Sequence, residues 1–376
     1  MKIKTAVFVF FAFPVSMFFA GEIPQDSLYE KAQTEIYKNP KNALKIAEKL
    51  LEKEKDPNRK IDIYLLIFKA FIEERNFEKS LEYVMKSKEL LNENIKPEIQ
   101  INVQISAAIQ YQQTGFYNRS LATLDEADRY LEKISENNPN KYICIGRSNA
   151  VRGMIYKSLS NYELSLEKFL FSIKNFEKAK PSADTFPGMS IVYYHIGYCF
   201  MELGKTEQAK KYFLKSADFA RKADANALEA FVLKGLSDTY MANRKYSEAL
   251  KLLSEAENLS LKIGDLCLNE EIYKGMSDND LALQNIQNYL VHNRKYLETK
   301  FKREQNELNY INQSIENQFI ENKKQIELIK LKYLKLNISI VFFSLISVSV
   351  FLYFIIKKRK ICACLRNDYR IFKTKT

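Results

Sequence analysis

One skeleton recurs along the chain and restricts the fold more than any compositional figure does. Its sharpest copy is Tyr193-x2-Ile196-Gly197-x2-Phe200, then Gly204 and Ala209-x3-Phe213. Gly153-x2-Tyr156, Tyr162 and Ser165-x3-Phe169 repeat it, as do Leu236-Ser237-x2-Tyr240, Tyr246, Ala249-x3-Leu253 and Ala256. Weaker copies are Ala107-Ala108-x2-Tyr111, Gly115, Tyr117, Ser120-x3-Leu124, Ala127, and Ile67-Phe68-x2-Phe71, Phe77, Ser80-x3-Val84. The outermost, around Ala43-Leu44-x2-Ala47 and Ala282-Leu283-x2-Ile286, are degenerate. A period of this size marks stacked supersecondary units, each unable to bury its apolar face alone. Helices are the natural unit: ten Gly and eight Pro in 376 residues fall well short of the usual shares of about 7% and 5%.

The spacing explains itself as packing. A small residue at Gly153 or Gly197 lets one helix approach its neighbour. Ala209 or Ala249 does the same on the second helix, and Tyr156, Phe169 and Phe213 fill the space between pairs. The skeleton resembles the tetratricopeptide repeat, with an aromatic in place of the usual Trp. The resemblance covers roughly residues 25–295 and implies an all-α, tetratricopeptide-type α-solenoid. It also implies that the first helix of each pair lines a concave groove receiving a protein or peptide partner. Transferred by position, the groove contacts are Gln112, Met154, Lys157, Tyr194, Tyr198, Met201, Lys234, Asp238 and Met241. Tyr and Met are adhesive, adaptable contact residues. The other reading of Tyr194 and Tyr198 is that they close the gap to the next helix pair.

The two ends speak about membranes. Residues 1–20 read as an export signal: Lys2 and Lys4, then an uncharged apolar run from Ala6 to Ala20, too short for a comfortable span. Cleavage is expected near Ala20, with an uncut anchor as the alternative. Residues 336–356 are uncharged and free of Pro and Gly, and at 1.5 Å per residue a helix there spans about 30 Å, one hydrocarbon thickness. Lys357, Lys358, Arg359 and Lys360 follow at once and mark the cytoplasmic side, where they can also touch anionic headgroups. This predicts a single-pass inner-membrane protein with the repeat array (25–294) in the periplasm and a basic cytoplasmic tail (357–376). The net charge of +12 then loses its nucleic-acid meaning. The tail carries +7 of it, residues 21–300 carry +1, and no nucleic-acid contact is expected.

Between array and span, residues 295–335 read as a helical stalk. Leu308, Ile311, Ile315, Phe319, Asn322, Ile326, Ile329 and Tyr333 step by three and four, a heptad seam with one stutter. Asn322 in that seam suits the register of a parallel homodimer; a single solvated helix is the alternative. The chemical inventory is thin. His195 and His292 have no partner at metal-ligand spacing, and no phosphate loop or nucleophile elbow occurs. Cys144, Cys199 and Cys267 are odd in number and far apart, while Cys362 and Cys364 lie in the tail, so no disulfide framework is expected. No catalytic residue, cofactor or metal is therefore expected.

The order of segments resembles bacterial membrane-bound signalling proteins whose tails continue into a helix-turn-helix regulator or a histidine kinase. Here 20 residues follow the span. Two functions stay open: a periplasm-facing receptor or scaffold, or a truncated or split regulator whose output domain lies outside this chain.

Overall fold

The computed structural model describes residues 25–373; the export-signal segment at 1–20 lies outside them. The described residues form fourteen helices. They alternate as pairs: α1 (Gln25–Glu35) with α2 (Pro40–Lys53), α3 (Pro57–Glu73) with α4 (Phe77–Glu89), and α5 (Pro97–Gln113) with α6 (Tyr117–Leu131). Next come α7 (Pro139–Ser158) with α8 (Tyr162–Lys178), α9 (Phe186–Glu202) with α10 (Thr206–Lys222), and α11 (Asn226–Ala242) with α12 (Tyr246–Ile263). The last pair is α13 (Leu266–Ala282) with α14 (Ile286–Lys373). Proline punctuates rather than breaks this pattern. Pro40, Pro57 and Pro139 open their helices behind Asn39, Asp56 and Asn138, whose side chains accept from first-turn amides. A proline there loses no hydrogen bond, because that amide has no intrahelical partner.

The second helices share one register. Ala43, Ser80, Ser120, Ser165, Ala209 and Ala249 each stand fourth in their helix, and each is wholly buried. Only a small side chain permits that approach. Where it is serine, the hydroxyl is satisfied: Ser120 Oγ donates to Ala108 O at 2.7 Å and Ser165 Oγ to Gly153 O at 2.8 Å on the preceding helix, while Ser80 Oγ lies 2.8 Å from Phe77 O of its own helix and 2.8 Å from Gln110 Oε1 of the next. The last copy of the skeleton needs correcting. Ala282 is the final residue of α13, a first helix; the fourth residue of α14 is Tyr289. The closing pair thus replaces the small residue with a half-buried aromatic, as suits a helix that receives no following pair.

Turns within pairs share one conformation too. Arg75, Gly115, Ser160, Gly204, Arg244 and Gln284 all have φ between 56° and 78°, and each stands two residues before its second helix. The next amide closes back onto the first helix, as in Lys205 N to Phe200 O at 2.8 Å and Asn161 N to Tyr156 O at 2.9 Å. This is the Schellman closure, which satisfies carbonyls that a helix end leaves free. Gly115 and Gly204 show it in sequence; the four non-glycine positions conceal it.

The wedge residues sit where the skeleton places them. Phe213 of α10 is fully buried. A Cβ on Gly197 of α9 or Gly235 of α11 would come within 2.6 Å of its ring. Phe169 of α8 stands in the same relation to Gly153 of α7, at 2.5 Å. Each aromatic is thus gripped by backbone, so the helix spacing depends on glycine.

The first compact unit runs to Asn306 and includes the opening turns of α14. There Lys295 pairs with Glu257 of α12 at 2.9 Å, Arg303 pairs with Glu270 of α13 at 2.5 Å, and Tyr296 packs against the last core. The second unit, from Glu307, is helical through Lys373. Leu308, Phe319, Ile326, Ile329 and Tyr333 of the seam are exposed; the side chains of Ile311, Ile315 and Asn322 lie outside the described ones. Residues Ile326–Lys360 are long and apolar enough to cross a membrane, with mean hydropathy 2.5 and none of that window buried. Lys357, Lys358, Arg359 and Lys360 are exposed.

Candidate functional site

First helices of successive pairs pack on one another, and a seven-residue rhythm repeats half-buried side chains along them. On α7 the stripe runs Arg147, Met154, Lys157; on α9 it runs Ile191, Tyr194, Tyr198, Met201; on α11 it runs Lys234, Asp238, Met241. All of these are half-buried, neither sealed in a core nor bathed in solvent.

A polar network links three successive first helices through this stripe. Tyr198 Oη donates to Asp238 Oδ2 at 2.9 Å, and Lys234 Nζ donates to the same oxygen at 2.9 Å. Lys234 also reaches Tyr198 Oη at 3.3 Å and Glu271 of α13 at 3.2 Å. Burial alone would pull the Lys234 ammonium down; Asp238 and Glu271 more than offset it and hold it above the usual lysine range. Lys157 lies 5.2 Å over the Tyr198 ring and has no carboxylate within ion-pair distance among the described residues. Burial accordingly lowers it. An ammonium held by a ring face and no anion is a group an incoming acceptor would satisfy.

The tyrosines serve packing as well. Tyr194 meets Tyr198 edge-on at 4.9 Å, and its ring stands 6.0 Å from Phe213 and from Phe231 of α11. Burial raises both phenols well above their ordinary value, so both stay protonated donors. Met154 packs beside the α5–α7 and α7–α9 cores and Met201 beside the Phe213 cluster, while the Met241 sulfur accepts from Asn279 Nδ2 at 3.5 Å. Gln112 of α5 is half-buried, and its side-chain carbonyl has no hydrogen-bond partner.

That orphaned carbonyl belongs to a set. Buried polar atoms without partners among the described residues are Glu74 Oε1, Gln104 Oε1, Gln112 Oε1, His195 Nδ1 and Asn279 Oδ1. Every one lies on a first helix or its C-cap, and none on a second helix. His195 stacks on Phe169 with centroids 5.5 Å apart, and burial next to Lys157 drives it well below the ordinary histidine value. It is a neutral packed ring. His292 of α14 instead pairs with buried Asp280, Nδ1 to Oδ2, at 2.6 Å.

Sequence reasoning overlooked a cluster of buried ionisable groups on α3. Burial, with Arg147 nearby, takes Lys69 of α3 down to about 7. On the same helix burial lifts Glu73 to about 7 and Asp62 to about 6. The seven-residue spacing from Asp62 to Lys69 was visible in sequence, but the skeleton copy is weakest there. No group of His, Cys, Asp and Glu among the described residues is arranged to hold a metal ion.

The comparisons agree with this architecture. A tetratricopeptide repeat model matches residues 191–222, which cover the end of α9 that carries Tyr194 and Tyr198, and all of α10. No curated protein matches the chain. Among solved structures, the chain is similar to a signal transduction ATPase with a tetratricopeptide repeat sensor from Pyrococcus horikoshii (TM-score 0.51, 14% identity). That alignment covers 73% of this chain and 41% of that one. It is also similar to the Cut9–Hcn1 heterotetramer of the APC/C (TM-score 0.50, 16% identity, 73% of this chain and 45% of that one). The chain thus spans under half the length of each. At these identities the likeness is one of fold: a tetratricopeptide-like α-solenoid.

Proposed function

We propose that the chain is a membrane-anchored protein-interaction module, a receptor or scaffold that takes a protein or peptide segment on its inner surface. The observation carrying this reading is the half-buried network of Lys157, Tyr198, Lys234 and Asp238 on α7, α9 and α11. Tyrosine hydroxyls, an uncompensated ammonium and unpartnered amide carbonyls offer main-chain groups both donors and acceptors. The same reading keeps the array on the periplasmic side, Ile338 to Ile356 in the inner membrane, and Lys357 to Lys360 on the cytoplasmic face. The exposed seam residues of α14 support a parallel homodimer. Photo-crosslinkers placed at Tyr198 and Met241 in membranes should capture a partner that one at exposed Leu170 on α8 does not. Equal capture from both faces, or none from the inner one, would sink the reading.

A further inference from the structure

Two edges of the array meet although they are far apart in sequence. The turn between α1 and α2 touches the turn between α10 and α11: Tyr37 O accepts from Ala227 N at 3.2 Å, and Lys38 pairs with Asp224. The Tyr37 side chain packs in a small apolar cluster with Ala220, Ala225, Leu228 and Ile191. One pair further along, Arg75 in the α3–α4 turn reaches Asp265 ahead of α13, Nη2 to Oδ2 at 3.2 Å. Asp265 simultaneously caps α13 through Oδ1, accepting from Cys267 N at 2.9 Å and Leu268 N at 3.1 Å.

These contacts join the first pair to the turn between the fifth and sixth pairs, and the second pair to the turn between the sixth and seventh. The closure is thin. Among the described residues, helices α1–α4 do not pack along helices α9–α13; the bridge is carried by three turn residues, Tyr37, Lys38 and Arg75. Of its ion pairs, Lys38–Asp224 is the exposed and weak one, with 72% of the Asp224 side chain accessible, whereas Arg75 reaches a buried Asp265. Each pair within the array, by contrast, is held by a fully buried core. A weak seam joining strong elements parts before they do.

We infer that this seam is a latch: the α1–α2 and α3–α4 turns hold the array shut against the α10–α11 and α12–α13 turns, and a protein segment reaches the inner surface by parting them. This rests on the proposed inner-surface binding, and its first test is independent of any partner. The Ala227 amide lies in the first turn of α11, where amides have no intrahelical acceptor, so its protection against hydrogen exchange reports the Tyr37 bond directly. The full-length chain in lipid nanodiscs is compared with Lys38→Glu, Asp224→Lys and the double reversal. Each single reversal should speed exchange at Ala227 by about two- to fivefold, the range of an exposed ion pair, and the double reversal should restore it. Tyr37→Ser should speed it by at least about tenfold, since it empties an apolar contact as well.

A second reading uses Met201→Cys, with peptide-resolved labelling by a polymer-linked maleimide and by N-ethylmaleimide. Opened variants should react faster with the bulky reagent and equally with the small one. Unchanged Ala227 exchange and unchanged polymer labelling in both single reversals overturn the latch. If Tyr37→Ser melts the array, the charge variants still decide the matter. A latch that behaves as described while inner-surface crosslinkers capture nothing overturns the binding reading instead.

Discussion

Gly197→Ala and Gly188→Ala, two substitutions in the same helix, should have opposite signs. Replacing a helical glycine by alanine ordinarily adds up to about 1 kcal/mol through backbone propensity. At Gly188 the added Cβ would sit 3.4 Å from Phe176 Cζ, an ordinary contact, so the gain should appear as roughly 0.5–1 kcal/mol. At Gly197 it would stand 2.6 Å from Phe213 Cε1 and 2.7 Å from Cδ1. The ring would have to retreat by about 0.8 Å or more to reach a normal separation. It has nowhere to go, because its other flank meets the α11 backbone at Gly235. Overpacking of this kind costs about 1–3 kcal/mol, so the net for Gly197→Ala is a loss of roughly 0–2 kcal/mol. At about 2–4 °C per kcal/mol, thermal unfolding followed by circular dichroism should separate the two variants by several degrees. Adding Phe213→Leu, which shortens the wedge, should turn Gly197→Ala favourable. Equal stabilisation by both glycine replacements would refute the claim that Phe213 sets the α9–α10–α11 spacing.

Stability should vary with pH in two opposed limbs. Glu73, whose folded value near 7 lies above its ordinary 4.5, contributes stability that is complete below pH 4.5 and is lost as pH rises to 7. Lys69, whose folded value near 7 lies below 10.5, costs stability in full below pH 7 and is relieved as pH climbs towards 10.5. Melting temperatures against pH should therefore lose the lower limb in Glu73→Gln and the upper limb in Lys69→Met; unchanged profiles would count against the burial of these groups. His195→Phe should be neutral or stabilising by up to about 1 kcal/mol, because the imidazole nitrogen Nδ1 is buried without a partner; a clear fall in melting temperature would reveal a bond the stacking geometry does not show. Ser160→Gly should stabilise by roughly 0.5–1 kcal/mol, since Ser160 holds φ 57°, a region costing a side-chain-bearing residue about 1 kcal/mol; an unchanged denaturation midpoint would argue against that strain.

Much of the architecture was legible because its causes are local. Wholly buried small residues at the fourth position of successive second helices, and buried apolar residues four positions later (aromatic at Phe169 and Phe213), repeat whatever lies beyond the neighbouring pair. The last pair was misread for the same reason. Ala282 satisfied the local pattern, but the pattern says nothing about which helix of a pair a residue ends, and Tyr289 holds the position instead. The resemblance to the tetratricopeptide repeat implied that Tyr194, Tyr198, Lys234 and Asp238 stand on first helices, and they do. Their bonding was not. That Tyr198 and Lys234 share one oxygen of Asp238, while Lys157 forms no ion pair among the described residues, depends on how three helices are spaced, and no segment of the chain records that spacing.

By itself, then, the sequence determined the helix pairs, their stacking order and one apolar run able to span a membrane, because each rests on side chains a few positions apart. The tertiary structure alone decided the seam. Lys38 and Asp224 are 186 residues apart, and Arg75 and Asp265 are 190 apart. They meet because small rotations from one pair to the next accumulate until the array curls back on itself. Curvature summed over successive pairs has no signature in any window of residues, so the meeting of these distant turns appears only in three dimensions.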